Sequence, residues 1–442
     1  MQFTDTSVLS GKTSYKWNFG DGGTSTTKNP SHTYQKSATY SVRLTVTNAK
    51  GSDSETKTDY IVVTTPPPTP VPTPTPTPTQ GGECFGAEAC NPTGNPIGGG
   101  AEYTDIKTSG FYTVTSKASL LTALSSATSG QVIYVPEGIT IDLTGQYPVG
   151  IPAGVTLAGN RGSRASPDAP VSLGATIKKR AHTPGFIGAP DINGWYSSGW
   201  EEPMFYAMGN DVRITGLQLE GEMYPQDYGN QKRQTYESDY LVGIFANNKS
   251  GFAVDNNEIR GWAWSGISMK NCPDAYIHHN YIHSNQARGE GYGSNLYGGN
   301  ALFEANLYDY NRHAITGAGL AGEKYEARYN IVLGNGDAIG GHHFDVHQDE
   351  NGGTFAGDKY WIHHNTFEDG VGINGGKLAS VAIRQRPTTG IYIDHNLFES
   401  VSTETEGGVP IWERDSTQNM NATNNMWMGV FYPSNDGIVW FL

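Results

Sequence analysis

Histidines, arginines and carboxylates crowd the last third of the chain in a pattern that suits acid–base chemistry. His343, Asp345 and His347 occupy alternate positions, so a β-strand would place all three on one side. A histidine beside a carboxylate has a pKa suited to proton transfer near neutral pH. A neighbouring arginine, such as Arg312 or Arg384, can hold a ligand carboxylate with two parallel hydrogen bonds. These residue types predict proton transfer or anion binding in this region.

A repeat runs through the same region and indicates the scaffold that must position these residues. An asparagine, followed two residues later by an apolar or aromatic residue, recurs at intervals of 23, 26, 24, 35, 31 and 29 residues. About that many residues form one turn of a three-sheet β-helix, in which the strand spacing lets stacked amides hydrogen-bond to one another. We predict one structural column, formed by Asn257, Asn280, Asn306, Asn330, Asn365, Asn396 and Asn425.

A second series of strands precedes this column in each turn. Its apolar residues should point into the core: Ile267, Leu296, Ile315, Val346, Ile383 and Ile411. Their neighbours must then face outward. We name these outward residues the exterior stripe: Lys270, Tyr297, Asp345, His347, Arg384 and Trp412, with Arg312, His343, Arg386, Glu413 and Arg414 at its edges. The mixture of charged groups and aromatic rings favours the floor of a polysaccharide-binding groove over a surface of ordinary ion pairs.

Three functions fit such a groove. A glycoside hydrolase needs two carboxyl groups, and Asp345 and Glu413 would lie about 10 Å apart, two strand spacings from each other. A polysaccharide lyase needs a base beside a uronate carboxyl and a cation that neutralises it. A non-catalytic surface protein or adhesin would only bind glycan or have a structural role. The candidate catalytic residues are Asp345, His347, Arg384, Arg312, His313 and Glu413, and the candidate substrate-binding residues are Lys270, Tyr297, His343, Arg386, Trp412 and Arg414.

Other histidines have structural explanations. His279, His364 and His395 each immediately precede a predicted ladder asparagine, where the strand bends. An outward column of mixed charge, which predicts a solvated face, contains His278, His363, Asp255, Glu304, Arg328 and Asp394.

We assign no metal from the sequence. His-x-Asp-x-His at residues 343–347 offers three zinc ligands without a fourth. Asp349, Glu350 and Asp358 lie in one loop and would supply oxygen ligands to calcium, which is the one cofactor that we consider.

The composition is that of a strand-rich, turn-rich protein. There are 57 glycines among 442 residues, and the net charge of −14 argues against nucleic acid as a partner. No run of 18 apolar residues is present to span a membrane. Cys84 and Cys90, six residues apart, form either a small disulfide loop or two free thiols, while Cys272 should be buried.

Residues 1–63 form a separate unit. Residues 17–23 read WNFGDGG, residues 29–34 read NPSHTY, and the strand-like YSVRLTVTN and IVV follow in order. This set resembles the PKD domain, an immunoglobulin-like β-sandwich typical of extracellular proteins, and implies a spacer or weak binder. The first residues resemble the middle of such a domain, so we expect an N-terminal truncation.

Residues 64–83 are a linker, and residues 84–442 form the main domain. The run PPPTPVPTPTPTPT favours a semi-rigid polyproline II segment of about 40 Å. A helix over residues 116–127 precedes VIYVPEG and IPAGVTLAGNRG. This order resembles the N-terminal cap of the pectate-lyase-like superfamily, and it implies an all-β protein with a right-handed parallel β-helix and a short capping helix.

That superfamily contains pectate and alginate lyases, polygalacturonases and non-catalytic surface proteins. This chain departs from the pectate-lyase signatures and from the paired-Asp and Gly-His-Gly pattern of polygalacturonases, so the resemblance implies the fold and leaves the reaction open. The stretch from YDYNRHAITGAG to HHFDVH also looks like archaeal disaggregatase-related proteins, which act on cell-wall polysaccharide. We expect a secreted or cell-surface protein whose partner is a polysaccharide.

Overall fold

The computed structural model forms two compact units, residues 1–77 and 78–442. The residues that the structure describes are 3–7, 14–32, 34, 38–63, 84–166, 169–181, 183, 201–222, 240–286, 290–334, 336, 342–349, 352–368, 379–399, 410–413 and 420–427. The predicted linker, residues 64–83, lies outside the described residues, as do Glu350 and Arg414. The domain boundaries drawn from the sequence therefore stay a prediction.

The N-terminal unit contains a four-stranded antiparallel sheet. Its strands are β1 (Ser14–Asn18), β2 (Thr24–Ser25), β3 (Ala38–Asn48) and β4 (Gly51–Val63), in the order β2-β1-β3-β4. The tight turn between β1 and β2 uses Gly20 and Gly22 with φ of 86° and 93°, a conformation that favours glycine. The core contains Phe3, Trp17, Phe19, Val42 and Ile61, as expected of a β-sandwich-like unit.

Two short helices lie near the start of the main unit, α1 (Ala87–Cys90) and α2 (Lys117–Ser126). Ser116 caps α2, because its hydroxyl accepts a hydrogen bond from the Ser119 N–H while the Ser119 hydroxyl accepts one from the Ser116 N–H. Leu120, Ala123 and Leu124 are buried. The predicted capping helix is thus confirmed, with Ser116 as its N-cap and Lys117 as its first residue.

The main unit is a coil of short parallel strands. They are β5 (Tyr112–Thr113), β6 (Val132–Tyr134), β7 (Thr140–Asp142), β8 (Val149–Ile151), β9 (Thr156–Ala158), β10 (Thr176–Lys178), β11 (Glu201–Ala207), β12 (Arg213–Thr215), β13 (Gln218–Glu220), β14 (Tyr240–Asn247), β15 (Ala253–Asp255), β16 (Glu258–Arg260), β17 (Ser265–His278), β18 (Tyr281–His283), β19 (Tyr292–Glu304), β20 (Leu307–Asp309), β21 (His313–Gly317), β22 (Lys324–Arg328), β23 (Ile331–Val332), β24 (His342–Val346), β25 (Lys359–His363), β26 (Thr366–Phe367), β27 (Ala379–Ile383), β28 (Gly390–Asp394), β29 (Leu397–Phe398), β30 (Ile411–Glu413), β31 (Met420–Thr423) and β32 (Met426–Trp427).

These strands stack turn upon turn. One sheet has ten strands, from β7 to β32, and each strand pairs in parallel with its counterpart in the next turn. The other sheet has 18 strands and covers two faces, because the long strands β17 and β19 run from one face to the next. Apolar side chains from the turns fill the interior, as in Ile277, Phe303 and Tyr360. The fold class predicted from the sequence, with a right-handed parallel β-helix, is confirmed.

The seven predicted asparagines form one continuous ladder. Asn330 shows the pattern: its backbone N–H donates to Asn365 Oδ1 at 3.0 Å, while its own Oδ1 accepts from Asn306 N–H at 2.9 Å. The same bond joins each successive pair from Asn257 to Asn425. The residue before each ladder asparagine has φ between 53° and 55°: Asn256, His279, Ala305, Tyr329, His364, His395 and Asn424. The bend role of His279, His364 and His395 is therefore confirmed.

A segment that precedes the β-helix in sequence lies along these bends. We call residues 84–105 the cap segment. Its Gly86 N–H donates to His395 O at 3.0 Å, and its Gly98 N–H donates to Ala305 O at 2.8 Å, three turns earlier along the column. The segment therefore binds bends that are far apart in sequence.

The outward column beside the bends is not a solvated face, and that expectation is wrong. Its register runs through Asp255, His278, Glu304, Arg328, His363 and Asp394, as predicted. However, Asp255, Glu304 and His363 are buried. One reason is the cap segment, whose Tyr103 hydroxyl donates to Asp255 Oδ2 at 3.0 Å.

Candidate functional site

The strands that carry the exterior stripe turn a corner at small residues. A Cβ on Gly293 would meet the core residue Tyr308 at 3.2 Å, and the next residue, Ser294, lies 3.3 Å from the hydroxyl of the same tyrosine. Two consecutive residues thus face the interior. Because alternation is interrupted there, Tyr292 and Asn295, on either side of the pair, both face outward.

Three outward columns result, and we call them together the outer face. The first holds Tyr292, His313 and His342. The second holds Ser268, Asn295, Thr316, Asp345, Ala382 and Trp412, which pair in register. The third holds Lys270 and Tyr297, and further along His347 and Arg384, which follow the paired residues Val346 and Ile383.

Asp345 and Arg384 form the centre of the outer face. The guanidinium of Arg384 donates from Nε to Oδ1 at 3.0 Å and from Nη2 to Oδ2 at 2.6 Å. The side chain of Asp345 is fully buried, while that of Arg384 is 19% exposed. The paired fork compensates for the desolvation of the carboxylate. The exposed remainder of Arg384 is available to a ligand.

A stack of rings lies beside this pair. His313 stacks on Tyr292 and on His342, with ring centroids 5.6 Å apart in both cases, and His342 stacks on Trp412 at 5.1 Å. His313 Nε2 lies 3.7 Å from Asp345 Oδ2, and its Nδ1 lies 2.7 Å from the backbone oxygen of His342. The stack therefore continues from the carboxylate to a flat aromatic surface, the kind of surface on which sugar rings stack.

The imidazoles of the outer face are neutral at neutral pH. Burial lowers the pKa of His342 to about 4 and lowers that of His313 well below its usual range, with Arg312 as the next cause for His313. Burial also lowers the pKa of His347, although the Asp345 carboxylate opposes this shift. Neutral imidazoles can accept protons.

Arg312, the residue before His313, places a second guanidinium beside the outer face. Its guanidinium carbon lies 5.9 Å from the ring centroid of Tyr292. Within the part of the chain that the structure describes, buried polar atoms without a hydrogen-bond partner include Arg312 Nε, Thr316 Oγ1, His342 Nδ1 and Ser268 Oγ. Such atoms are costly to bury unpaired, and their concentration on one face is what a polar ligand would satisfy.

The charge of the outer face is opposite to that of the chain. Two guanidinium groups, of Arg312 and Arg384, face one carboxylate, of Asp345, and the three imidazoles are neutral. The whole chain carries a net charge of −14. A local excess of positive charge favours an anionic ligand.

The structure brings together six of the candidate site residues: Asp345, His347, Arg384, Arg312, His313 and Trp412. Lys270 and Tyr297 pair with each other in the third column. Arg386 lies over the ring of Phe355 at 5.1 Å. Arg414 lies outside the described residues.

Two of the candidate residues are placed differently from expectation. His342, instead of His343, belongs to the ring stack, because the corner shifts the alternation and aligns His343 with the core residue Ala314. Burial and then His342 lower the pKa of His343 to about 4. Glu413 pairs in register with the core residue Ile383, so it does not share the column of Asp345.

Sequence reasoning missed Tyr292 and His342. The sequence feature that could have revealed them is a small residue at the corner in each of three successive turns: Gly266, Gly293 and Ala314. A run of small residues in register marks a place where the backbone bends tightly and the period of two is interrupted.

The metal sites considered from the sequence gain no support from these contacts. His343 stands apart from Asp345 and His347, which breaks up the His-x-Asp-x-His set. Asp358 already accepts hydrogen bonds from the hydroxyls of Thr388 and Thr389 and pairs with Lys324. Glu350 lies outside the described residues.

In the described part of the chain, no helix is long and apolar enough to cross a membrane.

A solved structure similar to this chain is an alginate lyase from Paenibacillus sp. str. FPU-7, with 13% identity and a TM-score of 0.36 over 72% of this chain and 97% of that one. A curated relative, collagenase ColA of Bacillus cereus, is 55% identical over 40 residues, which are 9% of this chain and 4% of the collagenase.

The resemblance to archaeal disaggregatase-related proteins gains no support from these matches. The family model of the PKD domain matches residues 2–63. That range coincides with the antiparallel sheet of β1 to β4. The N-terminal unit of this chain is therefore a PKD domain.

Proposed function

We propose that the outer face binds an acidic polysaccharide. The observation that carries the proposal is the pair of guanidinium groups on a face with a single carboxylate, in a chain whose net charge is −14. Arg312 supplies a fork for a uronate carboxylate, and the exposed part of Arg384 supplies a second contact. The hydroxyl of Thr316 and Nδ1 of His342 would gain hydrogen-bond partners from sugar hydroxyls.

The chemistry that this face supports best is β-elimination from a uronate. Arginine neutralises the carboxylate, and a neutral imidazole accepts the proton from the carbon beside it. A carbon–carbon double bond forms in the ring as the bond to the leaving sugar oxygen breaks, and that oxygen takes a proton from water. His347 is the candidate base, because it is only half-buried, next to Arg384 in the third column. A hydrolase needs two carboxyl groups, and Asp345 is the one carboxylate in the three columns as described.

A binding role without catalysis is the second candidate. The observation that favours it is a similar fork elsewhere in the chain, where Arg213 donates from Nε and Nη2 to the buried carboxylate of Asp255, at 2.7 and 2.6 Å. That pair lies beneath the cap segment, whose Tyr103 hydroxyl donates to the same carboxylate. A fork of this kind can therefore stabilise a β-helix without doing chemistry.

The proposal is tested by titrating the full chain with a uronate polymer, either alginate or polygalacturonate. Uncharged dextran is titrated in parallel as the neutral control. We expect binding to the uronate polymers only. Arg312→Ala should weaken this binding roughly 10- to 100-fold, the value of a charge-assisted hydrogen bond. Arg164→Ala is the matched control, because Arg164 is exposed and bonds to the backbone oxygen of Ala169. Equal binding of dextran, or unchanged binding by Arg312→Ala, would overturn the proposal.

Ultraviolet absorbance of an unsaturated uronate separates the two candidates. A lyase produces this absorbance with the bound polymer, and His347→Ala should abolish it while binding persists. Binding without absorbance for every uronate polymer that binds favours the non-catalytic role.

A further inference from the structure

A second cluster of reactive groups lies at the bends, beneath the cap segment. Cys84, Cys90 and His364 place their sulfur and nitrogen atoms within 4.8 Å of one another. In the structure the two cysteines form a disulfide. Among the described residues, this is the one group of three or more histidine, cysteine or acidic side chains whose possible ligand atoms lie this close together. It belongs to the bend column and takes no part in the outer face.

The hydrogen bonds behind His364 determine which nitrogen carries its proton. Glu326 Oε1 lies 3.0 Å from His363 Nε2, and His363 Nδ1 lies 2.8 Å from His364 Nδ1. A carboxylate only accepts hydrogen bonds, so His363 donates from Nε2 and accepts at Nδ1. His364 must then donate from Nδ1, which leaves the lone pair on its Nε2. A metal-binding imidazole usually donates its other ring N–H to a neighbouring acceptor, and here that acceptor is His363 Nδ1, whose ring is oriented by Glu326.

A second histidine pair in the same register shows a different arrangement. His278 and His279 also join through their Nδ1 atoms, at 2.8 Å. There, however, His279 Nε2 lies 3.0 Å from the hydroxyl of Thr93. The Nε2 atom of that imidazole is thus already engaged by the cap segment. At His364 two sulfur atoms of the cap segment lie nearby instead.

The disulfide does not tie the cap segment to the β-helix. Both cysteines belong to the cap segment and are six residues apart, so their bond closes only a short loop within it. His364 lies between β25 and β26 of the β-helix. Backbone bonds near the cysteines, from Gly86 N–H to His395 O and from Ala87 N–H to Thr366 Oγ1, hold the sulfur atoms against this bend.

We propose that the reduced form of this chain binds one zinc ion through the thiolates of Cys84 and Cys90 and the Nε2 of His364. A dithiol supplies two electrons and two protons to the disulfide and closes to its own cyclic disulfide. Zinc then replaces the two thiol protons, which are released. Thiolate and imidazole are ligands that zinc prefers, and three of them leave a fourth position for water. The ion cross-links the cap segment to the β-helix, as the disulfide does not.

Zinc titration of the full chain tests this proposal. The chain is reduced without oxygen by a phosphine, which takes up the oxygen of water as its oxide while the sulfur atoms become thiols. The phosphine is then removed, and zinc is titrated against a chromogenic chelator. We expect one zinc ion per reduced chain and none per oxidised chain. Cobalt(II) in place of zinc should show thiolate-to-metal charge-transfer absorption. The melting temperature of the reduced chain should rise with zinc, since only the folded form holds all three ligands.

Three variants test the assignment of His364 as a ligand. His364→Ala should weaken zinc binding at least roughly tenfold, because it removes one of three protein ligands. His279→Ala is the matched control at the equivalent bend and should bind zinc as the parent does. Cys272→Ser should also bind normally, because Cys272 is buried away from the cluster. Zinc bound as tightly by His364→Ala or by the oxidised chain, or not bound by the reduced chain, would overturn the proposal.

Discussion

Arg384 holds the fully buried carboxylate of Asp345 with two parallel hydrogen bonds, of 3.0 and 2.6 Å, from the neighbouring turn of the β-helix. The register of β24 and β27 aligns Asp345 with Ala382, two residues before Arg384, so the guanidinium reaches back across one strand spacing. This pair therefore joins two turns of the fold and forms the centre of the proposed binding face.

Removal of Arg384 should destabilise the protein. Arg384→Met leaves the buried carboxylate of Asp345 without its partner, which we expect to lower the free energy of unfolding by about 3 kcal/mol. The double variant Asp345→Leu with Arg384→Met should recover most of this loss, because no charge is left unpaired. Chemical denaturation measures both. If Arg384→Met were as stable as the parent, the carboxylate would have to be satisfied in another way. Arg386→Met serves as the control outside the pair.

The asparagine ladder should be sensitive to a single deletion. Asn330→Ala removes the acceptor of Asn306 N–H and the donor to Phe303 O, both in buried surroundings. We expect a loss of about 1–3 kcal/mol in the free energy of unfolding. Asn421→Ala, at an exposed position of β31, should change stability little. Similar losses in the two variants would contradict a special role for the ladder.

Stability should depend on the protonation of Glu323. Burial raises the pKa of this carboxyl to about 7, although Gly298 N–H, Gly319 N–H and the Tyr360 hydroxyl donate to it. The folded state thus holds a proton that the unfolded state releases near pH 4.5. This contribution is fully present below pH 4.5 and is lost as the pH rises through 7.

Comparison with Glu323→Gln isolates that contribution. Between pH 4.5 and 7, the stability of the parent should fall by about 3 kcal/mol relative to the variant, whatever constant cost the amide brings. Denaturation curves at several pH values measure the difference. Parallel pH profiles of the two proteins would mean that Glu323 does not hold a proton in the folded state.

The two units should melt separately. The proline- and threonine-rich residues 64–83 predict a linker, so a protease site inserted there should release two folded fragments. Calorimetry should then show that each fragment unfolds at the same temperature as the corresponding unit of the intact chain. A fragment that unfolds after cleavage would contradict the predicted boundaries at residues 63 and 84.

The sequence by itself determined the β-helix and its register. The ladder asparagines are recognisable in the sequence because each turn must place the same polar residue at the same bend. Asn330 pairs with Asn365, as its spacing predicts. The sides of Leu296, Val346 and Ile383 also follow from alternation, since one face of each strand must be apolar.

Only the tertiary structure decided the composition of the outer face. Alternation predicts His343 beside Asp345, but the corner at Gly293 and Ala314 turns two consecutive residues inward and brings His342 into the stack. A bend of this kind depends on how neighbouring turns pack, because a small residue permits the bend without requiring it. The meeting of the cap segment with His364 had no local signal, since most of the main domain separates them in sequence and only the stacking of turns brings them together.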